Sequence, residues 1–319
     1  MTHRSVVITM GDPSGIGPEI ICKSLLKGGL SRKNKYYIIG LKSVFEAVPA
    51  YRGVAGQKNI SFIEIGGSRA VSKKKLTGLF CGRASVESLK QAVELIKSGR
   101  ADALVTAPIS KEHVKRAGFA FPGHTEFLCH EFNVKKYAMM LFHERLRVVL
   151  TTIHIPLKRV PAQISRRSVL EKLELTAEEL KRAFKIKRPR LAVCGLNPHA
   201  GENGMMGDEE IRVIIPAIKL FRRKTAFSNV GVAGPLASDT VFCRALDGEF
   251  DAVLCHYHDQ GLIALKTTGF HHAVNMTLGL PFVRTSPGHG TAFDIAGRGI
   301  ADDRSMRAAL AAATGGVSG

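Results

Sequence analysis

The chain alternates short apolar, β-branched runs with stretches of helical periodicity along its whole length. SVVITM at 5–10, YYIIG at 36–40 and ISFIEIG at 60–66 are typical of buried strands, and ASVESLKQAVELIKSG at 84–99 is an amphipathic helix with Gly99 as its C-cap. Strands that alternate with helices build parallel sheets from βαβ units. The sequence therefore predicts an α/β fold with a mostly parallel sheet, and 319 residues suffice for two domains.

Polar clusters stand directly after several of the predicted strands. The later strands are predicted at 101–110, 146–157, 190–201, 228–240, 250–261 and 274–286. The motifs GDPSG, TAPISK, NPHAGE, HDQG and RTSPGHGT come where strands end. Because ligands of open α/β sheets bind at the carboxyl ends of the strands, one large composite site is expected at that edge.

Three histidines occupy equivalent positions, each just past an apolar strand: His154, His199 and His258. Three neutral imidazoles from three strand ends can hold one divalent cation and leave positions for a substrate. A single histidine in such a place is more often a hydrogen-bonded structural residue, so only the equivalence of the three favours a metal. His256 alternates with His258 along one strand and is interpreted as a supporting or packing residue.

Several polar side chains are candidates for binding an anion. FPGHTEFL places His124 and Thr125 at a predicted helix start, with Thr125 as the expected cap, where free backbone N–H groups favour negative charge. Lys266 follows HDQG, and Asn275 and Arg284 belong to the last predicted strand. Cations that converge there would suit a ligand with phosphate and carboxylate groups, whereas each residue alone could be a cap or a surface charge.

Common cofactor and catalytic motifs are missing from the sequence. There is no G-x-G-x-x-G, no Walker A loop, no H-E-x-x-H and no G-x-S-x-G. The glycine-rich stretch GHGTAFDIAGRG at 288–299 can bring backbone close to a dinucleotide without a standard fingerprint. This stretch gives a weak cofactor-binding prediction, carried by Gly288, Gly290 and Thr291.

The chain is strongly basic, with 46 Lys and Arg against 27 Asp and Glu and a net charge of +19. Basic residues concentrate between 158 and 190 in the pattern of an amphipathic helix with a solvated basic face. Aromatic side chains that could stack on bases interleave there only at Phe184, so nucleic-acid binding has little support. Basic turns at 31–35 and 72–75 are expected on the surface.

Cysteine use and hydropathy indicate a cytoplasmic protein. The six cysteines form no CxxC pair and lie mostly in apolar runs, which predicts reduced, buried thiols. No apolar run approaches the roughly 18 residues of a membrane span, and the N-terminus lacks a signal segment.

The sequence resembles the 4-hydroxythreonine-4-phosphate dehydrogenase family of pyridoxal phosphate biosynthesis nearly end to end. The resemblance is carried, in order, by GDPSGIGPE, TAPISK, FPGHTEFL, NPHAGENGMMGDEE, YHDQGLIALK, VNMTLGLPFVRTSPGHGTAFDIAGRG and ADDRS. It implies a fold similar to isocitrate and isopropylmalate dehydrogenases, with two α/β/α domains, an active-site cleft between them and a homodimer. The domains are expected at 1–125 plus 275–319 and at 126–274.

The resemblance also implies an activity. It points to oxidation and decarboxylation of 4-phosphooxy-L-threonine to 3-amino-2-oxopropyl phosphate, dependent on NAD (or NADP) and on a divalent zinc, magnesium or cobalt ion. Dehydrogenases of D-threonate or D-erythronate 4-phosphate are the alternative, because the motifs do not separate these substrates. A nucleic-acid-binding protein is a second alternative that leaves the polar strand ends unexplained.

The family's functional residues carry over onto matching positions of this chain. Its metal ligands fall on His154, His199 and His258, in a site shared between the subunits of the dimer. Its substrate contacts fall on His124, Thr125, Lys266, Asn275 and Arg284. Asp239 matches an acidic position near the metal, so Lys266 and Asp239 are the expected catalytic residues. The sequence departs from the family in carrying His256 and in its basic charge.

Overall fold

The structure is a computed structural model that describes residues 3–27, 31, 33–66 and 76–315. The basic turn expected at 72–75, and residue 32 of the turn at 31–35, lie outside the described residues. The strands are β1 (Ser5–Thr9), β2 (Lys35–Gly40), β3 (Ile60–Glu64), β4 (Ala103–Thr106), β5 (Ala138–Phe142), β6 (Arg147–Leu150), β7 (Arg190–Cys194), β8 (Gly231–Leu236), β9 (Ala252–Cys255), β10 (Val274–Leu278) and β11 (Val283–Pro287). The α-helices are α1 (Gly17–Lys27), α2 (Lys42–Glu46), α3 (Tyr51–Ala55), α4 (Gly78–Lys97), α5 (Lys111–Arg116), α6 (His124–Glu131), α7 (Val160–Gln163), α8 (Arg166–Arg182), α9 (Ile215–Arg222), α10 (Ser238–Leu246), α11 (His258–Gly269) and α12 (Arg304–Ala313).

The chain divides into two compact units. Of the described residues, the first unit comprises those up to Val134 together with those from Leu280 to Gly315, and the second comprises Lys135–Gly279. These divisions differ from the sequence-based ones at 125/126 and 274/275. Helix α6 stays in the first unit, where its Phe127 ring lies 5.3 Å from the Phe119 ring. Strand β10 stays in the second unit because it pairs with β5.

The first unit contains a wholly parallel five-stranded arrangement in the order β3-β2-β1-β4-β11. Its central strand β1 is an unbroken apolar run, with Val6, Val7 and Ile8 fully buried, because helices cover both faces of a parallel sheet. From β1 the chain adds β2 and β3 on one side and then β4 and β11 on the other. The carboxyl ends of β1 and β4 therefore form a topological switch point, where open α/β sheets bind ligands.

The second unit contains six strands in the order β10-β5-β6-β9-β7-β8. Strand β5 pairs antiparallel with β10 and β6, whereas the strands from β6 to β8 run parallel. The predicted α/β class is thus confirmed. The carboxyl ends of β6, β9 and β7 lie side by side at one edge of the sheet. The three candidate metal histidines come after these three strands in the sequence.

The single strand predicted at 274–286 was wrong, because the chain forms β10 and β11 there, one in each unit. The break comes at Gly279, whose φ of +93° suits glycine and where a Cβ would lie 2.4 Å from the Lys136 carbonyl oxygen. Both halves are apolar, so hydrophobicity alone does not reveal the turn. Strand β5 was also missed, although the run AMMLF forms it.

Helix α8 confirms the amphipathic helix predicted in the basic stretch. Ser165 caps it by accepting a 3.0 Å hydrogen bond from the Ser168 backbone N–H. The helix buries Val169, Leu173 and Leu180, while Lys181 and Arg182 occupy its last turn, where the helix dipole favours cations. The basic residues of this stretch thus act as a solvated helix face.

The cysteine prediction is confirmed as well. None of the six cysteines forms a disulfide, and five of them are buried, with Cys243 the exposed exception. In the described part of the chain, no helix combines the length and the apolarity that crossing a membrane requires.

The buried imidazole of His143, just after β5, gives the second unit an acid-sensitive point. Its Nδ1 accepts a 3.3 Å hydrogen bond from the Arg145 backbone N–H, and its Nε2 lies 2.9 Å from the Thr268 hydroxyl. Because Nδ1 accepts, the ring is neutral, with its proton on Nε2. Burial is the main cause that lowers the pKa of His143 below its ordinary value of 6.5, and the nearby Arg145 lowers it further.

We expect His143 to make stability fall on acidification. A depressed folded pKa means that the unfolded chain takes up the proton first, so this contribution is intact above pH 6.5 and declines as pH falls below it. His143→Gln, measured by urea unfolding across this range, should flatten the decline, whereas His130→Gln at an exposed site should leave it as in the wild type. An unchanged slope in His143→Gln would assign the decline to other groups.

Candidate active site

Two of the three predicted metal histidines face each other in the second unit. His154 follows β6 and His258 opens α11 after β9, and their ring centroids lie 5.7 Å apart at an interplanar angle of 40°. Both line a cleft of about 310 Å³ together with Tyr257 and Asp259. Neighbouring parallel strands bring the two rings to one edge of the sheet, as the sequence pattern predicted.

Asp259 orients the His258 ring. Its Oδ1 lies 2.6 Å from Nδ1 of His258, and a carboxylate oxygen can only accept at that contact, so Nδ1 carries the proton. The other ring nitrogen, Nε2, is then the one able to bind a cation, which is the usual carboxylate–histidine arrangement of metal sites. Sequence reasoning overlooked Asp259, although it stands directly after His258 in HDQG.

His256 is fully buried beside these two residues and supports the strand ends. Its Nε2 donates a 2.8 Å hydrogen bond to the Cys194 carbonyl oxygen, and its backbone N–H donates to Oε1 of Gln260 at 2.6 Å. Burial lowers the pKa of His256 to about 4, so its imidazole is neutral at physiological pH. This geometry agrees with the interpretation of His256 as a supporting residue that ties β9 to β7.

His199 lies on a loop of unusual backbone conformation after β7. The five residues from His199 to Asn203 have φ angles between +43° and +83°, and four of them are not glycine. Left-handed conformations cost ordinary residues about 1–2 kcal/mol each, and such strain persists where the surroundings enforce it. His199 does not join His154 and His258 in a group of ligand atoms within 4.8 Å of one another in the described single chain.

The carboxylate of Glu210 holds this loop in place. Glu210 is 2% exposed and accepts hydrogen bonds from the backbone N–H groups of Leu196 and Asn197 at 2.7 and 2.8 Å. It also accepts one from Nδ2 of Asn197 at 2.9 Å. A Cβ at Gly201 would lie 2.7 Å from the same carboxylate, so glycine is required there. Sequence reasoning missed Glu210, which lies 11 positions after His199 in the chain.

Glu210→Gln is expected to destabilise the protein by about 1–3 kcal/mol, because the amide NH₂ turns one acceptor into a donor that faces other donors. If Glu210 positions His199 for a metal, the affinity for divalent cations should also fall by about tenfold or more. Glu202→Gln, at an exposed position of the same loop, is the control. A destabilised Glu210→Gln protein with unchanged cation affinity would limit Glu210 to a structural role.

In the first unit, Arg284 is a buried cation close to His124. Arg284 lies on β11, is 3% exposed, and donates a 2.6 Å hydrogen bond from Nη2 to the Thr106 hydroxyl. Burial lowers the pKa of Arg284 to about 10, against the opposing effect of Glu126, so the guanidinium stays charged at neutral pH. Burial and the charge of Arg284 together hold the pKa of His124 well below its usual range. A positive group and a neutral imidazole thus stand together, which suits an anionic ligand.

The expectation that Thr125 caps α6 was wrong. The helix begins at His124, and its N-cap is Gly123, which has no side chain to accept a hydrogen bond. Thr125 lies inside the first turn and is 8% exposed. The helix start is still close to Arg284, so its free N–H groups and the guanidinium favour the same ligand charge.

The glycine-rich loop after β11 packs against the GDPSG loop after β1. The backbone N–H of Ile16 donates a 3.0 Å hydrogen bond to the Thr291 carbonyl oxygen, and a Cβ at Gly15 would lie 2.9 Å from that oxygen. The N–H of Gly288 donates to the Ser305 hydroxyl at 2.9 Å, whereas a Cβ at Gly290 would meet nothing within 4 Å. The predicted cofactor-binding residues therefore lie at the switch point of the first unit.

The remaining predicted site residues are dispersed over the second unit. Asn275 on β10 has a buried Oδ1 that finds no hydrogen-bond donor among the described residues, and a ligand could supply one. Lys266 lies on α11 with its Nζ 5.9 Å from the centre of the Phe270 ring. Eight residues of helix separate it from His258, a rise of about 12 Å. Asp239 is exposed in the first turn of α10.

The fold and these residues define an α/β protein with candidate ligand sites at the carboxyl ends of its strands, and comparison with known proteins specifies the family. The family described as pyridoxal phosphate biosynthetic protein PdxA matches residues 34–313. A 4-hydroxythreonine-4-phosphate dehydrogenase from Desulfosudis oleivorans is 45% identical over 97% of this chain and 95% of its own. This chain belongs to the PdxA family, and the resemblance seen in its sequence is confirmed.

Solved structures agree with this assignment. The crystal structure of 4-hydroxythreonine-4-phosphate dehydrogenase from Klebsiella pneumoniae superimposes with a TM-score of 0.85 at 36% identity, over 99% of both chains. A β-decarboxylating dehydrogenase from Thermococcus kodakarensis gives a TM-score of 0.52 at 15% identity, over 99% of this chain and 84% of that one. The second likeness shows the fold alone, and it confirms the predicted similarity in fold.

Proposed function

We propose that this protein oxidises and decarboxylates 4-phosphooxy-L-threonine to 3-amino-2-oxopropyl phosphate, in the formation of pyridoxine 5'-phosphate. The observation that carries the proposal is the pair His154 and His258, with Asp259 behind it, in a chain whose relatives are named 4-hydroxythreonine-4-phosphate dehydrogenase. An enzyme of this family is an oxidoreductase that uses a nicotinamide cofactor and a metal.

The side chains of this chain fit those two groups. His154, His199 and His258 would hold the divalent cation (zinc, magnesium or cobalt), which supplies Lewis-acid polarisation of substrate oxygens. The His258 ring, with Nδ1 bonded to Asp259, is preorganised for that role. We assign NAD, with NADP as the alternative, to the loop that contains Gly288, Gly290 and Thr291.

Anion recognition falls to the buried cation and its neighbours. Arg284, His124 and Thr125 would bind the phosphate or carboxylate of the substrate, since a buried guanidinium gains most from an anionic partner. The orphaned Oδ1 of Asn275 would accept a hydrogen bond from a substrate hydroxyl or ammonium group. Lys266 would bind substrate and relay a proton, and Asp239 would act as a second catalytic group.

The experiment that tests the function is an NADH absorbance assay with 4-phosphooxy-L-threonine, with and without a chelator. D-threonate 4-phosphate and D-erythronate 4-phosphate are run in parallel. We expect the first substrate to give the highest kcat/KM and chelation to abolish turnover. A higher kcat/KM for either sugar-acid phosphate would make that compound the substrate in place of the proposed one. Turnover that survives complete metal removal would refute the metal requirement.

We further propose a cytoplasmic homodimer whose subunits share the metal site. Six cysteines that form no disulfide fit a reducing compartment. In the single chain His154 and His258 are adjacent while His199 is not grouped with them, so a third ligand has to come from elsewhere or from a rearranged loop. A second subunit that supplies it would complete the site.

Complementation tests this sharing. If His258 and His124 serve one site from different subunits, mixing inactive His258→Ala and His124→Ala chains should regenerate activity, because one of two sites in a mixed dimer is intact. Random pairing makes about half of the dimers mixed, so up to about a quarter of wild-type sites return. Subunit exchange is verified with tagged chains. Confirmed exchange without activity would show that each site is built from one subunit.

A further inference from the structure

A second cluster of metal-ligating side chains lies in the first unit, whereas the three candidate metal histidines belong to the second unit. Asp12 follows β1, Cys81 lies on α4 and His113 lies on α5. Each offers one ligand atom, and these atoms all lie within 4.8 Å of one another. We propose that Asp12, Cys81 and His113 form a second divalent-cation site, suited to zinc, at the switch point of the first unit.

The geometry of the cluster needs only a small adjustment to hold an ion. Asp12 and Cys81 are fully buried, and the His113 side chain is 20% exposed, which leaves one side open to solvent. Nδ1 of His113 lies 2.7 Å from Oδ2 of Asp12. Zinc–ligand bonds of about 2.0–2.1 Å in a tetrahedral arrangement would separate these two atoms to about 3.3 Å. A water molecule could complete the four ligands on the open side.

Helix α4 carries two glycines that make room for His113 beside Cys81. A Cβ at Gly78 would lie 2.8 Å from Cδ2 of the His113 ring, and a Cβ at Gly82 would lie 2.0 Å from the His113 carbonyl oxygen. A larger residue at Gly82 would push the α5 backbone away, and one at Gly78 would displace the His113 ring. Ser110 further fixes α5 by accepting a 3.2 Å hydrogen bond from the His113 N–H. The close approach of the two helices is thus built into the sequence.

The buried charge of Asp12 also calls for a cation. Oδ1 of Asp12 accepts hydrogen bonds from the backbone N–H and the hydroxyl of Ser14, at 3.0 and 2.6 Å. Oδ2 contacts His113, and no lysine or arginine in the described part of the chain forms an ion pair with Asp12. A buried carboxylate is costly unless its charge is compensated. One divalent cation would balance the Asp12 carboxylate and a Cys81 thiolate together.

The donor set selects the class of metal. One nitrogen, one oxygen and one sulfur form a borderline-soft set, which favours zinc over magnesium or calcium. Without a metal, burial raises the pKa of the Cys81 thiol to about 11, so the thiol keeps its proton. Metal binding would form the sulfur–metal bond and release that proton to water. The proton that Nδ1 of His113 donates to Asp12 in the metal-free chain would move to Nε2, so that Nδ1 is free to bind the ion. No oxidant or reductant is needed for this step.

Cobalt(II) distinguishes this site from the histidine site. A cobalt ion bound by a thiolate shows a near-ultraviolet charge-transfer band, and a site made only of histidines cannot produce one. We expect the chelator-treated full-length protein to develop this band on titration with Co²⁺ and to lose it when Zn²⁺, added in excess over both proposed sites, displaces the cobalt. His154→Ala and His258→Ala should retain the band, so the result does not depend on the proposed catalytic metal.

Cys81→Ser and His113→Gln are the test variants, and Cys243→Ser, at the exposed cysteine, is the matched control. Cys81→Ser should lose the band, and His113→Gln should bind zinc more than about 100-fold more weakly, since changes outside the ligand shell alone cost 10–100-fold. Near-ultraviolet circular dichroism verifies that each variant is folded. A wild type without the band, or a band that survives in Cys81→Ser, overturns the site.

Discussion

His258→Ala is expected to lower kcat by more than about 100-fold while the protein stays folded. The reason is that Nε2 of His258 is the ring nitrogen left available by the 2.6 Å contact between Nδ1 and Asp259. Asp259→Asn, which keeps the ring but weakens its orientation, should cost about 10–100-fold. Comparing the loss of kcat in His258→Ala with that in Asp259→Asn separates the contribution of cation binding by His258 from that of the orientation of its ring. Turnover and bound metal per chain are measured together.

The matched control for this experiment is His130→Ala, since His130 is exposed on α6, in the first unit. That variant should match the wild type in turnover and metal content. If His258→Ala retains both full turnover and a full complement of metal, the histidine pair is not the metal site. If it loses metal from the second unit while keeping the thiolate–cobalt band, the two proposed sites are independent.

Arg284→Met should reduce kcat/KM for the phosphorylated substrate by about 30- to 5,000-fold. Truncating one member of a buried, hydrogen-bonded charge pair costs about 2–5 kcal/mol, and Arg284 is 3% exposed. The loss should appear mainly in substrate KM, with KM for NAD changed by no more than about twofold. That selectivity follows from the position of Arg284 beside His124, whose pKa it lowers. Steady-state kinetics with each reactant varied in turn measure both constants.

Two further variants separate charge from geometry at this position. Arg284→Lys keeps the positive charge but loses the planar fork, so it should recover only part of the activity. Thr106→Val removes the partner of the 2.6 Å hydrogen bond and leaves the guanidinium, so its effect should be smaller than that of Arg284→Met. A selective rise in KM for NAD in Arg284→Met would reassign this residue to the cofactor.

Local sequence information was sufficient for the fold class and for the family. Apolar strands that alternate with amphipathic helices predict an α/β fold, because the strands of a parallel sheet are covered by helices on both faces and are therefore apolar along their whole length. The strand-end position of His154 and His258 was also readable, since neighbouring parallel strands end at one edge. Long strings such as NPHAGENGMMGDEE and GHGTAFDIAGRG carried the family resemblance, which the match over residues 34–313 confirmed.

Local patterns failed where a contact between distant residues decides the structure. The turn at Gly279 divides an apolar run that the sequence predicts as one strand. Glycine is needed at this turn because the Lys136 carbonyl leaves no room for a side chain. The N-cap of α6 is Gly123, although the side chain of Thr125 offers a hydrogen-bond acceptor that glycine lacks. In both places the path of the chain overrides the local preference.

The sequence by itself determined the fold class, the strand-end edge of the candidate site and the family, because these follow from periodicity and from contiguous motifs. Only the tertiary structure decided which polar residues meet. Glu210 reaches the loop of His199, and Asp12 meets His113 from 101 positions away, with Cys81 beside them. These contacts depend on how the strands and helices pack. They join residues that are far apart in the sequence, so local sequence patterns do not predict them.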